Sequence, residues 1–426
     1  MDTCGLIAEY NPLHRGHQRQ LSDLRDRIGK DAGIVICMSG PFCQQGVPAL
    51  LDKGVRAELA LRAGADLVLE LPQTFATDSA ERFAEGAIET LLATGVVRSL
   101  AYGTEYPDKI DTIKALGAFF AEESPEFRSK LKEELRTGLS YAEARSNAAA
   151  RWIEDADTLL QSPNTILSIE YEKAFMRLLK DDIVLPTYAL PLFNKEEWSS
   201  RNVRAIVEQR FDRECGLLLP ENYWPLLNEL LPILPSPSTA AVMRAAIEGR
   251  GLVTTYALAR HTLLSPLLRD IDQLKTIRGM QGGLAERVVN VLADTTFDHV
   301  ITSRYEKAPS ELTSAQIIAT RVFPTSRVRR ALLSVALNIR SDDVALTEAK
   351  PHYIRVLGFT KRGQRLLSFM RHTSELPVIT IASQFKNLVS DEAKRQAQLD
   401  LFAQSLWNAL AGLSCNGEIQ RIPISV

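Results

Sequence analysis

The sequence predicts an α/β protein that begins with a Rossmann-like, doubly wound parallel sheet and continues into a mainly helical C-terminal domain. Two observations indicate this. Over the first 105 residues, short apolar runs alternate with segments of helical periodicity, and beyond residue 238 the patterns are mostly helical. When strands alternate with helices, each helix returns the chain over one face of the sheet, so successive strands run parallel. Such crossover connections are almost always right-handed.

Four buried strands are predicted from apolar runs, at residues 3–8, 33–38, 66–70 and 98–102. Apolar residues at helical spacing predict helices between them, at residues 18–28, 53–63 and 80–92. We expect the first half to continue with helices across 110–150, a helix at 166–179, a strand near 183–187 and a helix at 201–209.

A dense group of prolines predicts the domain boundary. Five prolines lie between residues 216 and 238, and proline at this density disfavours a continuing helix. We therefore expect two domains, at 1–215 and 216–426. In the second domain, mostly helical patterns are interrupted by two β-like runs, at 352–357 and 377–382.

The composition is that of a globular protein. At 426 residues the chain exceeds a usual single core, which favours two domains. It contains neither a secretory signal pattern nor an apolar run of about 18 residues, so we expect a cytoplasmic protein without membrane association. The five cysteines are scattered and show no paired spacing, which predicts reduced thiols and no metal site. No protein partner is evident.

One segment is strongly basic, although the net charge of the chain is only −2. Residues 304–371 carry thirteen Lys and Arg against five Asp and Glu, a net charge of +8. Such a segment is typical either of a surface that binds nucleic-acid phosphates or of a solvated helical face, and charge alone favours neither.

The loop after the first predicted strand carries the strongest candidate chemistry. It contains Asn11, His14, Gly16 and His17, directly before a helix. Ligands of doubly wound sheets bind at the carboxyl ends of the strands, and the free N–H groups at a helix start favour phosphate. Imidazole donors at this place suit attack on the α-phosphate of a nucleotide, since they stabilise the developing negative charge. The alternative, a chance metal-binding pair, lacks a third ligand.

The string His14-Arg15-Gly16-His17 resembles the HxGH signature of the HIGH-type nucleotidyltransferase superfamily. The longer string from Gly5 to His17 is similar to the opening of the bacterial tRNA(Met) cytidine acetate ligases. Further blocks follow in the order of that family and extend the resemblance over nearly the whole chain, at residues 38–49, 66–72, 83–87, 102–105, 162–167, 326–333 and 353–359.

The resemblance implies a two-step, ATP-dependent ligase. Acetate attacks the α-phosphate of ATP to give acetyl-adenylate, and the acetyl group then passes to the wobble cytidine of elongator tRNA(Met), giving N4-acetylcytidine. The implied catalytic residues are His14, His17 and Asn11, and Mg²⁺ is expected with the ATP. The implied ATP contacts are Ile7, Asn11, His14, Gly16, His17, Gln20, Gly103, Asn164 and Arg204.

Several candidates have a structural alternative. Ser39 and Gly40 follow the second strand and are expected to line the acetate pocket, or to form an ordinary turn. Glu105 is expected either at the same pocket or in a structural ion pair, and Asn11 either at the phosphate or in a turn before Pro12. The candidates for tRNA phosphates, in the basic segment, are Arg327, Arg329, Arg330, Arg355, Lys361 and Arg362.

Two stretches depart from the family pattern. The Ile-Lys-Arg run of the family, whose arginine contacts ATP, corresponds to residues 186–190, which include no basic residue. The Ser-Ala-Thr-x-Ile-Arg motif of the family corresponds to Ser199-Ser200-Arg201-Asn202-Val203-Arg204. The departures leave open a nucleotidyltransferase that adenylylates a free metabolite, against which the basic segment argues. A tRNA-binding protein without catalysis is a further alternative, and the intact histidines argue against it.

Overall fold

The structure is a computed structural model, and it describes residues 2–179, 185–211, 217–294, 313–343 and 350–426. The strands within these residues are β1 (Thr3–Ala8), β2 (Gly33–Ser39), β3 (Leu67–Leu71), β4 (Ser99–Thr104), β5 (Thr187–Pro191), β6 (Ile354–Phe359), β7 (Val378–Ile379) and β8 (Ile424–Ser425).

All eight strands belong to one sheet, in the order β5-β4-β1-β2-β3-β6-β7, with β8 also paired to β6. The strands from β5 to β3 are mutually parallel, and β6 joins β3 in antiparallel orientation. The order reverses beside β1, since β2 lies on one side of it and β4 on the other. This confirms the predicted doubly wound, mostly parallel sheet.

The helices cover both faces of the sheet and most of the later chain. No helix in the described ranges combines the length and the apolar character needed to cross a membrane. Those of the first half are Arg15–Ile28, Lys53–Arg62, Gln73–Ala76, Ala80–Leu92, Ile110–Ala121, Pro125–Arg136, Tyr141–Ala149, Ala156–Leu159, Pro163–Leu178 and Ser200–Arg210. Those of the second half are Tyr223–Leu230, Ser236–Glu248, Thr255–Leu267, Ile271–Lys275, Leu284–Asp294, Thr313–Ile318, Thr325–Ala336, Lys361–Thr373 and Asp391–Leu410.

Side chains of β2 alternate between two cores, as the pleat of a strand requires. Val35 and Cys37 pack into one cluster with helices Ala80–Leu92 and Pro163–Leu178. Ile34, Ile36 and Met38 pack on the opposite face, into a cluster that also contains residues of helices Arg15–Ile28 and Lys53–Arg62. A strand buried on both faces is mostly apolar, which is why β1 to β4 were recognisable as apolar runs. Glu70 of β3 is an exception, and it is paired with Lys53.

The proline-rich segment is more helical than predicted. Helix Tyr223–Leu230 contains Pro225 in its first turn, and helix Ser236–Glu248 has Pro237 at its start. The first backbone N–H groups of a helix have no partner within it, so proline there removes no hydrogen bond. The prolines were predicted to stop a continuing helix, and the structure shows that helices nevertheless start within this segment.

Strands from the second half of the chain complete the sheet of the first half. Leu67 of β3 pairs with Phe359 of β6, and β6 in turn pairs with β7 and β8. Both β-like runs predicted in the second half lie at these strands, at β6 and β7. Residues 212–216, at the predicted division into 1–215 and 216–426, lie outside the described residues, so the division itself stays a prediction.

Candidate active site

A cavity of about 330 Å³ opens at the carboxyl ends of β1, β4 and β5. Its wall includes residues in the last part of these strands or directly after them, together with the start of helix Arg15–Ile28. Seven of the predicted nucleotide-binding residues come together here: Ile7, His14, Gly16, His17, Gln20, Gly103 and Asn164. The position is the one that the topology of a doubly wound sheet favours for a ligand.

Two imidazoles cap the first helix. His14 is the N-cap of helix Arg15–Ile28, and its Nδ1 accepts a hydrogen bond from the backbone N–H of Gly16 at 3.1 Å. In return, the Nδ1 of His17 accepts from the backbone N–H of His14 at 3.3 Å. The arrangement is a capping box made of two histidines, and it fixes both rings at the cavity wall.

Burial keeps both imidazoles neutral. It lowers the pKa of His14 to about 4, and burial together with the neighbouring His14 places the pKa of His17 well below its usual value. In a neutral imidazole one nitrogen carries the hydrogen. Since both Nδ1 atoms accept, both Nε2 atoms must carry it. His14 and His17 therefore present N–H donors without adding positive charge.

Two glycines let the chain approach closely around the cavity. A Cβ atom on Gly16 would lie 2.9 Å from the His14 ring and 3.2 Å from the carbonyl oxygen of Phe193. A Cβ atom on Gly103 would lie 2.4 Å from the side-chain amide of Gln20. Any larger residue at these positions would displace the capping histidine or Gln20.

Three helix starts converge on the cavity. Besides helix Arg15–Ile28, the first residues of helices Pro163–Leu178 and Ser200–Arg210 line it. The third start is tied to the first loop, because the hydroxyl of Ser200 donates to the carbonyl of Pro12 at 3.0 Å. Aligned peptide dipoles at helix starts favour an anion, although several of the first N–H groups already have partners, such as Gly16 with His14 and Thr165 with Glu105. The cavity is thus suited to a polyphosphate.

Glu105 lies at the start of helix Pro163–Leu178 and pairs with Lys195. Its carboxylate accepts from the side chain of Asn164 at 2.9 Å and from the backbone N–H of Thr165 at 2.9 Å. Burial alone would raise the pKa of Glu105, but hydrogen bonds from Lys195, Asn164 and Thr165 outweigh it and lower the pKa to about 2. Of the two roles weighed for Glu105, the structure shows the ion pair. Its partners Lys195 and Asn164 line the cavity, whereas Glu105 is not among the lining residues.

Asn11 does not line the cavity. Its side chain is buried, donates to the carbonyl of Pro48 at 2.9 Å and accepts from the backbone N–H of Leu50 at 2.7 Å. Through these hydrogen bonds, the side-chain amide of Asn11 holds the segment after β2 against the loop after β1. We therefore reassign Asn11 from catalysis and ATP contact to the support of that loop.

Ser39, Gly40 and Arg204 also lie outside the cavity wall. Ser39 is fully buried, and its carbonyl accepts from Arg56 at 3.0 Å. A Cβ atom on Gly40 would lie 2.5 Å from the carboxylate of Glu70, so Gly40 faces a buried ion pair rather than an open pocket. The prediction that Ser39 and Gly40 line a substrate pocket is wrong in this structure. Arg204 donates to the carbonyl of Asn11 at 2.8 Å, and its contact with ATP stays a prediction.

The basic helix Thr325–Ala336 packs against a loop of the cavity. A Cβ atom on Gly46 would lie 2.8 Å from backbone atoms of Arg329 and Arg330, while the neighbouring Gln44 and Gln45 line the cavity. Burial lowers the pKa of Arg330, which lies near Asp78. The guanidinium of Arg327 lies 4.9 Å from the ring centre of Phe323 and remains partly exposed.

Arg355 cannot contact tRNA in this structure. It is 1% exposed, and it pairs with Glu418 at 3.1 Å in a buried network that also includes Lys53. A charge count cannot distinguish such a residue from an exposed one, so this prediction was wrong. Arg362 pairs with Asp66 at 3.2 Å. Asp66 precedes β3 and therefore lies at the amino end of this strand, whereas the cavity lies at the carboxyl ends of the strands. Arg362 and the exposed Lys361 thus lie at the sheet edge opposite the cavity.

Sequence reasoning missed several residues of the cavity wall. Lys195 is the only Lys or Arg among the described residues that line the cavity. It follows shortly after residues 186–190, which include no basic residue. Glu9 lies within the string from Gly5 to His17, but the sequence predicted no role for it. The pairing of β5 with β4 brings the residues after β5 to the cavity, and nothing in the sequence indicated that pairing. The remaining missed wall residues include Gln44, Gln45, Phe193 and Trp198.

No group of three or more His, Cys, Asp or Glu side chains within the described ranges could hold a metal ion. A divalent cation that accompanies a nucleotide needs no such group, because Mg²⁺ is commonly held by phosphates, waters and one or two carboxylates. A cavity that suits an anion is compatible with that mode.

A family profile described as HIGH Nucleotidyl Transferase matches residues 1–420. The tRNA(Met) cytidine acetate ligase of Caldanaerobacter subterraneus subsp. tengcongensis is 32% identical over 417 residues, covering 96% of this chain and 95% of that protein. The protein of the same name from Thermotoga petrophila is 33% identical over 390 residues, covering 89% of this chain and 87% of that protein.

The fold is also similar to a solved structure over its full length. The crystal structure of Thermotoga maritima TmcAL bound with alpha-thio ATP superposes with a TM-score of 0.86 at 29% identity, covering 100% of both chains. The apo form of the same protein superposes with a TM-score of 0.87 at 30% identity, again over 100% of both chains.

Proposed function

Because the chain belongs to the tRNA(Met) cytidine acetate ligase family of HIGH nucleotidyl transferases, we propose that it activates acetate with ATP and acetylates a cytidine of tRNA(Met). The products would be AMP, pyrophosphate and N4-acetylcytidine, and the acetylated base would be the wobble cytidine of the elongator tRNA. We propose a cytoplasmic location, where ATP and tRNA are available.

The observation that carries the proposal is the pair of neutral imidazole donors where three helix starts converge. The triphosphate of ATP binds against these helix starts, with Ile7, Gln20, Gly103 and Asn164 around it. When acetate attacks the α-phosphate, negative charge grows on the phosphate oxygens. The Nε2–H groups of His14 and His17 donate to those oxygens and stabilise the charge as it develops.

Charge neutralisation of the phosphates falls to Lys195 and to Mg²⁺. Lys195 is held at the cavity by Glu105, and an incoming triphosphate competes with that carboxylate for the ammonium group. We propose that Mg²⁺ would accompany ATP and, with Lys195, help to neutralise the charge of the phosphates. Lys195 would then serve where relatives with the Ile-Lys-Arg run use an arginine.

For tRNA, we propose contacts with phosphates along helix Thr325–Ala336, through Arg327, Arg329 and Arg330. This helix packs on the loop that carries Gln44 and Gln45 into the cavity, so phosphates bound to it would lie beside the nucleotide. Lys361 and Arg362 remain proposed contacts at the opposite sheet edge, where only an extended part of the tRNA could reach them.

The test is incubation of the protein with ATP, labelled acetate and total tRNA, followed by nucleoside analysis. Labelled N4-acetylcytidine in the elongator tRNA(Met), formed with acetate and not with acetyl-coenzyme A alone, is the expected result. Acetate-dependent exchange of pyrophosphate into ATP, measured without tRNA, reports the first step separately. Exchange without any acetylated nucleoside would favour an enzyme that activates a carboxylate for a free metabolite. Absence of both activities would contradict the proposal.

A further inference from the structure

Glu9 places a carboxylate in a cavity that otherwise suits anions. It directly follows β1, and its side chain lines the cavity together with His14 and His17. Its Oε1 accepts the backbone N–H of Gln44 at 2.7 Å, and its backbone carbonyl accepts from Arg56 at 2.7 Å. Its Oε2 has no hydrogen-bond partner among the described residues.

A carboxylate with one free oxygen repels a phosphate and cannot donate to it. The helix starts, both imidazoles and Lys195 all serve the phosphate part of the cavity. The free oxygen of Glu9 is therefore suited to a substrate group that brings N–H donors. The exocyclic N4 amine of cytosine is such a group, and carboxylates are among its usual acceptors in proteins.

We infer that Glu9 is the general base of the acetyl-transfer step, accepting the proton that the cytosine N4 amine loses. This inference rests on the proposed function. The nitrogen lone pair attacks the carbonyl carbon of acetyl-adenylate, and a C–N bond forms. The proton moves from N4 to Oε2 of Glu9, and the bond between the carbonyl carbon and the phosphate oxygen breaks. AMP leaves with that electron pair, and Glu9 later releases its proton to solvent.

The other titratable groups of the wall are poorly suited to this role. His14 and His17 have their Nδ1 atoms occupied and carry hydrogen on Nε2, so they donate rather than accept. Burial raises the pKa of Tyr10, Tyr102 and Tyr171, which keeps all three phenols protonated. Lys195 is a cation paired with Glu105.

Glu105 is the nearest competing carboxylate. Its oxygens accept from Lys195, Asn164 and Thr165, and its pKa of about 2 makes it a weak base. A general base is most effective when its pKa lies near the working pH. Glu9 alone among these groups combines a free acceptor oxygen with a place on the cavity wall.

The surroundings of Glu9 also shift its proton affinity in the useful direction. Burial raises the pKa of Glu9, while the N–H of Gln44 and the charges of Arg204 and Arg56 oppose that rise. Arg56 comes from helix Lys53–Arg62 and Arg204 from helix Ser200–Arg210. The remaining titratable groups that face Glu9 are Cys43 and Tyr171.

Acetate activation and acetyl transfer can be assayed separately. This distinguishes a base that acts only in acetyl transfer from a residue needed for both steps. Glu9→Gln keeps an oxygen that can accept from Gln44 but removes the base. Glu58→Gln, at a carboxylate 39% exposed on the outer side of helix Lys53–Arg62, serves as the matched control. Each variant is assayed for acetate-dependent exchange of pyrophosphate into ATP, and for single-turnover formation of N4-acetylcytidine after tRNA is added.

We expect Glu9→Gln to slow acetyl transfer by about 10²- to 10⁴-fold, the usual contribution of a general base, and to change the exchange rate by less than about threefold. Glu58→Gln should change neither. Unchanged transfer in Glu9→Gln, or equal loss of both half-reactions, would overturn the inference.

A second measurement does not depend on the variant. In the wild-type protein, the single-turnover transfer rate should rise with pH through one ionisation, because Glu9 must be deprotonated to accept. A transfer rate independent of pH between 4 and 8 (roughly the range over which buried carboxylates titrate) contradicts the role of Glu9. If the wild-type protein activates acetate but acetylates no cytidine, the proposed function fails first, and the failure is distinguishable from that of Glu9.

Discussion

His14 and His17 stack on each other at the start of helix Arg15–Ile28, with ring centroids 3.7 Å apart and an angle of 24° between the planes. Each ring is held through its Nδ1 atom by a backbone N–H group. The structural task of the pair therefore uses one nitrogen of each ring and leaves the other nitrogen for the substrate. This division allows the two tasks to be separated by substitution.

The variant His17→Asn should remove the distal donor while keeping an acceptor for the N–H of His14. We expect acetate-dependent exchange of pyrophosphate into ATP to fall by about two orders of magnitude, the scale of losing one oxyanion-type donor, while ATP affinity changes less. His372→Asn, at an exposed histidine of helix Lys361–Thr373, is the control. Exchange near the wild-type rate in His17→Asn, with unfolding by urea unaltered, would exclude this histidine from the reaction.

The buried histidines also predict how stability depends on pH. Because burial lowers the pKa of His14 to about 4, the unfolded chain binds a proton at this residue between about pH 6.5 and pH 4 and the folded chain does not. Stability at this site is therefore full above about pH 6.5 and is lost as the pH falls. The loss should reach about 3 kcal/mol near pH 4, at about 1.4 kcal/mol per unit of pKa.

The variant His14→Asn tests this dependence, because asparagine caps helices well without titrating. Urea unfolding at pH 7 and pH 5 should show a smaller loss of free energy of unfolding in His14→Asn than in the wild type. Equal losses in both proteins would mean that other groups determine the acid sensitivity.

Lys195 should contribute to ATP binding through its charge. We expect Lys195→Met to weaken ATP affinity by about tenfold or more, since hydrogen bonds to charged groups contribute roughly 1.5–3 kcal/mol. Lys195→Arg should retain most of the affinity. Lys275→Met is a closely matched control, because Lys275 is 47% exposed and pairs with Glu286, whereas Lys195 is 48% exposed and pairs with Glu105. Titration calorimetry with ATP and Mg²⁺ measures all three, and an equal affinity of Lys195→Met and wild type would remove Lys195 from the site.

Charge reversal on helix Thr325–Ala336 should separate the two substrates. We expect Arg327→Glu with Arg329→Glu to abolish tRNA acetylation at about 150 mM salt (near physiological ionic strength) while pyrophosphate exchange persists. The phosphates of tRNA depend on the charges of this helix, whereas those of ATP are proposed to depend on Lys195. Lys361→Glu, at the opposite sheet edge, should have a smaller effect. If the double variant is folded by circular dichroism and acetylates tRNA normally, the helix is a solvated face.

The sequence was most informative where burial determines residue type. Strand β1 was predicted at its observed bounds, and β2 to β4 within two residues, because parallel strands covered on both faces are mostly apolar. The helix start with His14 and His17 was equally visible, since capping is a local interaction. The addition of β6 to β3 was not predictable, because pairing between residues this far apart leaves no local signal.

The errors at the site have a common cause. Asn11 and Arg355 have the chemistry that a ligand needs, but each satisfies it inside the protein, with backbone groups or with Glu418. Lys195 lies on the cavity wall because β5 pairs with β4, a contact between distant parts of the chain. Glu9 lies in the predicted loop after β1, but its residue type alone did not predict a role. The residue types in the sequence therefore indicated the kind of ligand that suits the cavity. They were less informative about which side chains form its wall.

The antiparallel pairing of β3 with β6 has a consequence for biosynthesis. β3 (Leu67–Leu71) emerges from the ribosome about 280 residues before β6 (Ile354–Phe359). At roughly 5–20 residues per second, its edge stays unpaired for about 15–60 s. An apolar strand edge in that state can pair with a neighbouring nascent chain. Slow or interrupted translation of the second half should therefore increase aggregation, and co-expressed chaperones that shield strand edges should improve the yield of folded protein.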